Sequence, residues 1–350
     1  GIYDYNVAYS VATNVWGTTP SASLPGAIKN SDIKPQTTGT FEIGTMANFF
    51  ANRLSFDFTY YNRRLYNRIV TQPISQASGY TSKYFNTNEE ITTRGIELTL
   101  RGTAIKTKDI QLDLSTNWTK YGRYYTKLDE EFSADKHWVK KGERVDHYIL
   151  RDFQKSPSGE IIHNNGIPVY SGYDSVYGYT DPDWIWGVGV NFRYKNFRID
   201  LSFDGRIGGM TPSITETYLW LAGTHPSSVV PERYRDSQEA VAGNSSYQGV
   251  YVGNGVKVVS GEATYDTYGN ILTDNRVFAP NDVPVTYKRY VDGTHKNFIW
   301  GGAPSPLDVF STTFIKLREV SKTYDLPSSI TQKLYCKNAS VSLVVQNVLM

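Results

Sequence analysis

Eight stretches of the chain alternate apolar with polar residues over about ten positions each, and very short turns and very long loops take turns in joining them. The clearest is Leu54-Ser55-Phe56-Asp57-Phe58-Thr59-Tyr60-Tyr61. A strand turns successive side chains to opposite faces, so Leu54, Phe56, Phe58 and Tyr60 share one side and Ser55, Asp57 and Thr59 the other. Strands of that length with one fully apolar side are how a transmembrane β-barrel is written, with lipid on one face and the lumen on the other. Hydrocarbon tolerates no unpaired strand edge, so such strands serve only in a closed wall, and a closed wall in an outer membrane surrounds a path.

Composition agrees with a barrel better than with membrane helices. Of 350 residues 39% are hydrophobic, 14% are aromatic and 27 are Tyr, and no window approaches the roughly 20 apolar residues of a membrane helix. The net charge of +2 is spread along the chain, which leaves no electrostatic footprint for nucleic acid. The single cysteine, Cys336, excludes an internal disulfide framework and a Cys-based zinc site, and reads as a small wall or turn residue. The first residues carry neither the charged nor the apolar region of a signal peptide, and residues 341–350 read as a strand that stops. Both ends suggest a piece of something longer.

Strands are expected near 38–48, 53–63, 91–103, 109–120, 184–194, 197–207, 312–325 and 337–347, after a Ser/Thr/Pro/Gly-rich loop over 1–36. The short connections, 50–52, 104–108, 195–196 and 327–336, then lie on the periplasmic side, and the loops 64–90, 121–183 and 208–311 are extracellular. The period of two assigns Ile96, Leu98, Leu100, Leu112, Leu114, Val188, Val190, Phe192, Tyr194, Phe197, Ile199, Leu201 and Phe203 to lipid. It turns Asp57, Glu97, Arg101, Asp113, Arg193, Arg198, Asp200, Asp204 and Arg206 to the lumen, where charges can pair across strands instead of meeting hydrocarbon. Between residues 314 and 324 the phase changes, since Ile315 and Leu317 disagree with Val320 and Tyr324; a β-bulge near Glu319 restores it. Lys322 then falls on the lipid side near the interface, within reach of water by snorkelling.

The ordered set Glu42-Ile43-Gly44, Gly95-Ile96-Glu97-Leu98, Asp181-Pro182-Asp183-Trp184, Gly208-Gly209 and Phe314-Ile315-Lys316-Leu317-Arg318-Glu319 resembles the C-terminal half of the SusC-like (SusC/RagA) TonB-dependent transporters of Bacteroidetes, over residues of about 30 to 350. Gln36 and Lys322 depart from the pattern, which favours Glu and an apolar residue there. The resemblance implies an all-β fold, the C-terminal strands of a 22-stranded antiparallel transmembrane barrel with long extracellular loops, in the outer membrane. It implies TonB-dependent uptake of glycans or oligopeptides with a SusD-like surface lipoprotein, energised by TonB-ExbB-ExbD through an N-terminal region that, like the plug domain and the last strand, this chain lacks.

Catalytic chemistry finds no footing. His137, His147, His163, His225 and His295 stand singly, without metal-ligand spacing, and read as solvated loop residues. Gly187-x-Gly189 lies within a strand, where glycine thins the wall and lets a neighbouring side chain lie across it. Asp129-Glu130-Glu131 reads as a solvated loop rather than a carboxylate pair. No enzyme, metal or cofactor is expected. Recognition falls to the loops, where Tyr218, Trp220, Tyr247, Tyr251, Tyr265, Tyr268 and Trp300 are candidates for contact with substrate or partner, although most such rings pack among themselves. Turns at Ser158-Gly159, Asn165-Gly166 and 265–271 mark these loops as folded. The alternative is a soluble or surface-attached all-β glycan-binding sandwich, in which the apolar face is a core and strands run to about five or six residues.

Overall fold

The structure, a computed structural model, describes residues 10–16, 19–23, 26–30, 32–295 and 304–349. They form two compact units, one built from residues up to 145 with 183–206 and 314 onward, the other from 146–182 and 207–313.

The first unit is dominated by one eight-stranded sheet: β1 (Thr37–Phe49), β2 (Leu54–Tyr66), β3 (Glu90–Lys106), β4 (Ile110–Lys127), β5 (Trp184–Tyr194), β6 (Phe197–Ile207), β7 (Phe314–Asp325) and β8 (Ser340–Leu349). Each strand lies beside its neighbours in sequence, and the sheet is antiparallel. Among the described residues it does not close on itself; β1 and β8 are its edges. β3 and β4 run to 17 and 18 residues, well past their alternating stretches. At their upper ends the face that was apolar carries Thr92 and Arg94, and the pairing is continued by backbone bonds and by a 2.9 Å hydrogen bond between the Thr92 and Thr126 hydroxyls. Periodicity ends where the sheet leaves the apolar layer; pairing does not.

Cross-strand register sets the faces. Phe58 pairs with Leu98, Leu98 with Trp118 and Trp118 with Trp186; the next pairs toward the turns are Phe56 with Leu100, Leu100 with Thr116 and Thr116 with Val188. Directly opposed residues share a face, so these rows form one continuous apolar surface. Aromatic side chains mark its two ends. Trp118 and Trp184 meet edge-on at 6.0 Å between centroids at the loop end, and Phe197 and Tyr324 lie 4.6 Å apart at the turn end. β5 covers the interval in 11 residues; at about 3.3 Å per residue and a tilt of about 40° it rises roughly 25 Å, the height of an outer-membrane apolar band.

Two lysines fall on this face, both at its margins. Lys120 lies opposite Ile96, one pair beyond Trp118. Lys322 lies opposite Ile199, with its ammonium 5.8 Å from the Phe197 ring centre. The phase change in β7 is a bulge at Arg318: Ser202 pairs with Glu319 but Phe203 with Leu317. The extra residue returns Ile315 and Leu317 on one side of it, and Val320 and Tyr324 on the other, to the same face.

The connections match their chemistry. Phe50, Ala51 and Asn52 all adopt left-handed backbone, with φ of 55°, 54° and 66°, and Lys195 does so at 51°. Cys336 is exposed in the turn before β8. The stretch expected as a plain loop over 64–90 contains strands Arg68–Pro73 and Ser82–Thr87, which pair with each other and, through the second, with Ala27–Ile28.

Asp129 corrects the reading of its acidic run. It is 8% exposed, and its carboxylate accepts from the backbone N–H of Asn88 at 2.7 Å, Glu131 at 3.1 Å and Phe132 at 3.2 Å, and from the Thr87 hydroxyl at 3.2 Å. Burial pushes this carboxyl up, but the hydrogen bonds outweigh it and hold it below the usual carboxylate range. Phe85 and Phe132 pack beside it at 3.9 Å between centroids. Asp129 thus ties the segment above β4 to the one leading into β3.

The second unit is made from two loops far apart in sequence. Strands Ile162–Asn164 and Val256–Ser260 pair in parallel at the centre of a four-stranded sheet, flanked by Ile167–Pro168 and Val277–Pro280. Asn165 and Gly166, at φ of 49° and 77°, make the two-residue turn of its first hairpin. A second hairpin pairs Ala263–Tyr265 with Ile271–Asp274. Three helices follow: α1 (Ile214–Ala222), capped by the Ser213 hydroxyl and ended by left-handed Gly223; α2 (Pro231–Val241), with Pro231 in its first turn; and α3 (Tyr287–His295). Leu150, Phe153, Ile162, Val256, Val285 and Val291 form its core. Two histidines expected in solvent are buried here, His163 at 2% and His295 at 4% exposure.

Candidate functional site

The polar face of the sheet gathers nine charged residues of β2 to β6. Asp57 opposes Thr99; Glu97 opposes Thr59 and Thr119; Arg101 opposes Ser55 and Ser115; Asp113 opposes Thr103 and Asn191; Arg193 opposes Gln111. On β6, Arg198, Asp200, Asp204 and Arg206 oppose Thr323, Ser321, Lys316 and Phe314. Parity therefore puts all nine on one side of the sheet, away from the Trp118 row.

Side-chain contacts knit them together. Asp113 accepts from the Thr103 hydroxyl at 2.6 Å and from Gln111 Nε2 at 2.7 Å, and Gln111 Oε1 accepts from Arg193 at 3.0 Å. Asp200 accepts from the Asn191 amide and lies 3.7 Å from Arg198 Nε. Asp204 is held in a fork by Arg318, with the Nη2 to Oδ2 arm at 3.0 Å. The bulge residue of β7 thus spends its extra position on a two-pronged ion pair across to β6. Arg206 places its guanidinium 5.4 Å from the Phe314 ring centre. Sequence parity identified the acidic partner but not Arg318, because that residue stands at the change of phase, where Ile315 and Leu317 assign it inward and Val320 and Tyr324 assign it outward.

Two hollows of about 410 and 480 Å³ lie side by side on this face and share Arg101, Ser115 and Gly189. Their floor is thin because Gly187 and Gly189 carry no side chain: the Asn117 carboxamide lies where a Cβ on Gly187 would sit, and a Cβ on Gly189 would come within 2.6 Å of the Ser115 hydroxyl. Arg101 is exposed between the hollows. The result is a trough with one exposed cation at its centre and carboxylates Asp113, Asp200 and Asp204 along its sides.

The loop aromatics divide. Tyr218 is 52% exposed on α1. Trp220 stacks between the imidazoles of His225 at 4.1 Å and His295 at 5.0 Å. Its indole N–H donates to Glu216 Oε1, which also receives His225 Nε2 at 2.8 Å. His295 in turn pairs with fully buried Asp308 at 2.8 Å, and Asp308 accepts from the Thr217 hydroxyl at 2.7 Å. Tyr247 donates to Asp236 at 2.7 Å; burial and that carboxylate push its phenol up to about 12. Tyr251 packs on Tyr287 and Tyr290 at 5.0 and 4.8 Å, where burial pushes Tyr290 to about 12. Tyr265 packs on Tyr173, and Tyr268 follows the Asp266 turn. Trp300 lies outside the described residues. Tyr234, 68% exposed on α2, is a further outward ring that the sequence did not single out.

Comparison with known proteins agrees with this architecture. Residues 3–196 match the family described as TonB dependent receptor-like, beta-barrel. TonB-dependent receptor P3 of Formosa agariphila is 23% identical over 213 residues, covering 51% of this chain and 21% of that protein. The RagAB peptide importer in its open-open state has the same fold, with a TM-score of 0.60 at 16% identity over 100% of this chain and 34% of that one. The RagAB peptide transporter gives 0.59 at 16% identity, over 100% of this chain and 35% of that one. The chain thus spans 21% of the curated relative and about a third of the RagAB chains. An antiparallel wall with one apolar and one charged face, matched over more than half its length by that family's barrel, belongs to the TonB dependent receptor-like β-barrel family.

Proposed function

We propose that this chain is part of the wall and extracellular loops of an outer-membrane importer that takes up oligopeptides or glycans at the expense of TonB-coupled energy, together with a SusD-like surface lipoprotein. The observation that carries the reading is the two-faced sheet. Its apolar surface ends in aromatic rows roughly 25 Å apart and confines its lysines to those margins, as a lipid-facing wall requires. The opposite face, with Asp57, Glu97, Arg101, Asp113, Arg193, Arg198, Asp200, Asp204 and Arg206, lines the lumen in this reading, and the glycine-floored trough leaves it room for a polar partner. Tyr218, with the neighbouring loop aromatics, belongs to the surface that meets cargo or lipoprotein. Membership of a TonB-dependent family and the peptide-importing RagAB fold relatives support the transport direction and make oligopeptides the first cargo to try.

The test is uptake by cells carrying the full-length protein. Labelled oligopeptides and labelled oligosaccharides are offered with TonB present or deleted, and the protein is isolated in mild detergent for partner identification. TonB-dependent accumulation of one cargo class, with a co-purifying lipoprotein, is the expected result. A protein that remains soluble, shows no heat-shifted mobility and binds glycans unaided would replace the importer with the glycan-binding sandwich.

A further inference from the structure

The apolar face is not smooth. Near the turns it contains a hollow of about 740 Å³ walled by Leu54, Leu100, Leu114 and Val188. The cause is Gly102, which pairs with Leu54 on one side and Leu114 on the other: a missing side chain between two leucines leaves a gap one row deep. Phe50 overhangs the turn end of the hollow and is 76% exposed. Arg53 stands at the same rim, exposed, and its guanidinium makes no hydrogen bond or ion pair among the described residues.

Charge around that rim is one-sided. The four turns between wall strands, at 50–53, 107–109, 195–196 and 326–339, contain Arg53, Lys108, Lys195, Lys333 and Lys337 against Asp109 alone. An apolar slot opening toward a cationic belt is complementary to a molecule with a hydrocarbon tail and an anionic head.

We infer that the Gly102 hollow is a binding site for one acyl chain of an anionic glycerophospholipid, whose phosphate is taken by Arg53 at the turn end of the wall. The inference rests on the reading of this face as lipid-facing. Burial of the chain by four aliphatic side chains supplies affinity, and the guanidinium supplies preference for head-group charge. A second copy of the protein seated on the same face is the competing occupant.

Native mass spectrometry of the full-length protein in mild detergent tests it, with dioleoyl phosphatidylglycerol or dioleoyl phosphatidylcholine added as the probe and heat-shifted gel mobility as the control for folding. The wild type is expected to retain phosphatidylglycerol in preference to phosphatidylcholine. Gly102→Phe, which fills the hollow from its floor, and Thr116→Phe, which fills it from the adjoining row, each lower retention at least tenfold with the heat shift intact. Arg53→Gln retains lipid but loses the preference between head groups. Equal retention by the wild type and both heat-shifted filling variants overturns the site, as does a dimer mass that the filling variants abolish. A wild type without any heat shift removes the membrane reading itself, and the site with it.

Discussion

At Gly205 the wall has room for a hydrogen atom and nothing larger. A Cβ there would come within 2.7 Å of the Trp186 ring and of the Phe314 carbonyl, and neither the ring, packed in its row, nor the ladder can move freely. Gly205→Ala is expected to destabilise the wall by about 1–3 kcal/mol, read as a lower urea midpoint of tryptophan fluorescence after refolding into vesicles; an unchanged midpoint would mean that Trp186 has a second place to lie. The 50–52 turn has the opposite deficit. Three consecutive non-glycine residues hold left-handed backbone, and a Cβ makes that region unfavourable by about 1–2 kcal/mol. Part of the gain from Ala51→Gly is offset by the freer unfolded chain. The substitution should therefore raise the same midpoint by about 0.5–1 kcal/mol, and a lower midpoint would count against the turn geometry.

At the scale of elements, the β7 bulge decides which face its residues occupy. Deleting Arg318 removes the extra residue and sets Leu317 directly before Glu319 and Val320, so that regular alternation keeps Ile315, Leu317, Val320 and Tyr324 on the apolar face, whereas deleting Ser115 from β4, whose pairing with β5 is regular, exchanges faces for everything on one side of it. The Arg318 deletion and Arg318→Met, each of which loses the ion pair to Asp204, are expected to keep heat-shifted mobility, and the Ser115 deletion to abolish it; loss of the shift in the Arg318 deletion would deny that residue the part of a bulge. The junction at Asp129 carries a pH dependence of known sign. Its carboxyl titrates below the ordinary range when folded, so the unfolded junction binds the proton more readily. The stabilisation is therefore complete above the usual carboxylate pKa and fades as pH falls through the folded value. Limited proteolysis within residues 128–135 should accelerate below about pH 4 in the wild type. Asp129→Asn, which cannot accept the same set of N–H bonds at any pH, should be cleaved readily already at pH 7 and change little with acid.

For the whole molecule, the fork between Arg318 and Asp204 links wall strands through the proposed lumen. Asp204→Arg sets two cations against each other and is expected to lower labelled-peptide uptake at least tenfold, through assembly or through the path itself. The exchange Asp204→Arg with Arg318→Asp restores the pair in reverse and should recover most of the uptake. Failure of the exchange while the heat shift returns would show that the path reads the sign of residue 204, not merely its partnership. The fold class is legible in the sequence because alternation is a local property: Leu54, Phe56 and Phe58 announce their face within five residues. The same rule grouped the nine charged residues of the polar face. It could not find Arg318, which stands where two phases meet and is assigned opposite faces by them, nor Tyr234, which sits on a helix inside what read as loop.

What the chain determined by itself is whatever depends on neighbours in sequence: strand faces, the alternation of short turns with long loops, and the need for a bulge near Glu319. The tertiary structure alone decided what depends on residues far apart. Asp129 looked solvated because its partners Thr87 and Asn88 lie some forty positions earlier. His295 looked solitary because Asp308 and Thr217, themselves 91 residues apart, meet it only when the long loop 208–311 folds back on itself. The burial of His163 beneath Tyr290, and the hollow beside Gly102, have the same origin. Periodicity is written into a single strand, whereas burial, pairing and cavities are properties of which strands and loops come to lie side by side.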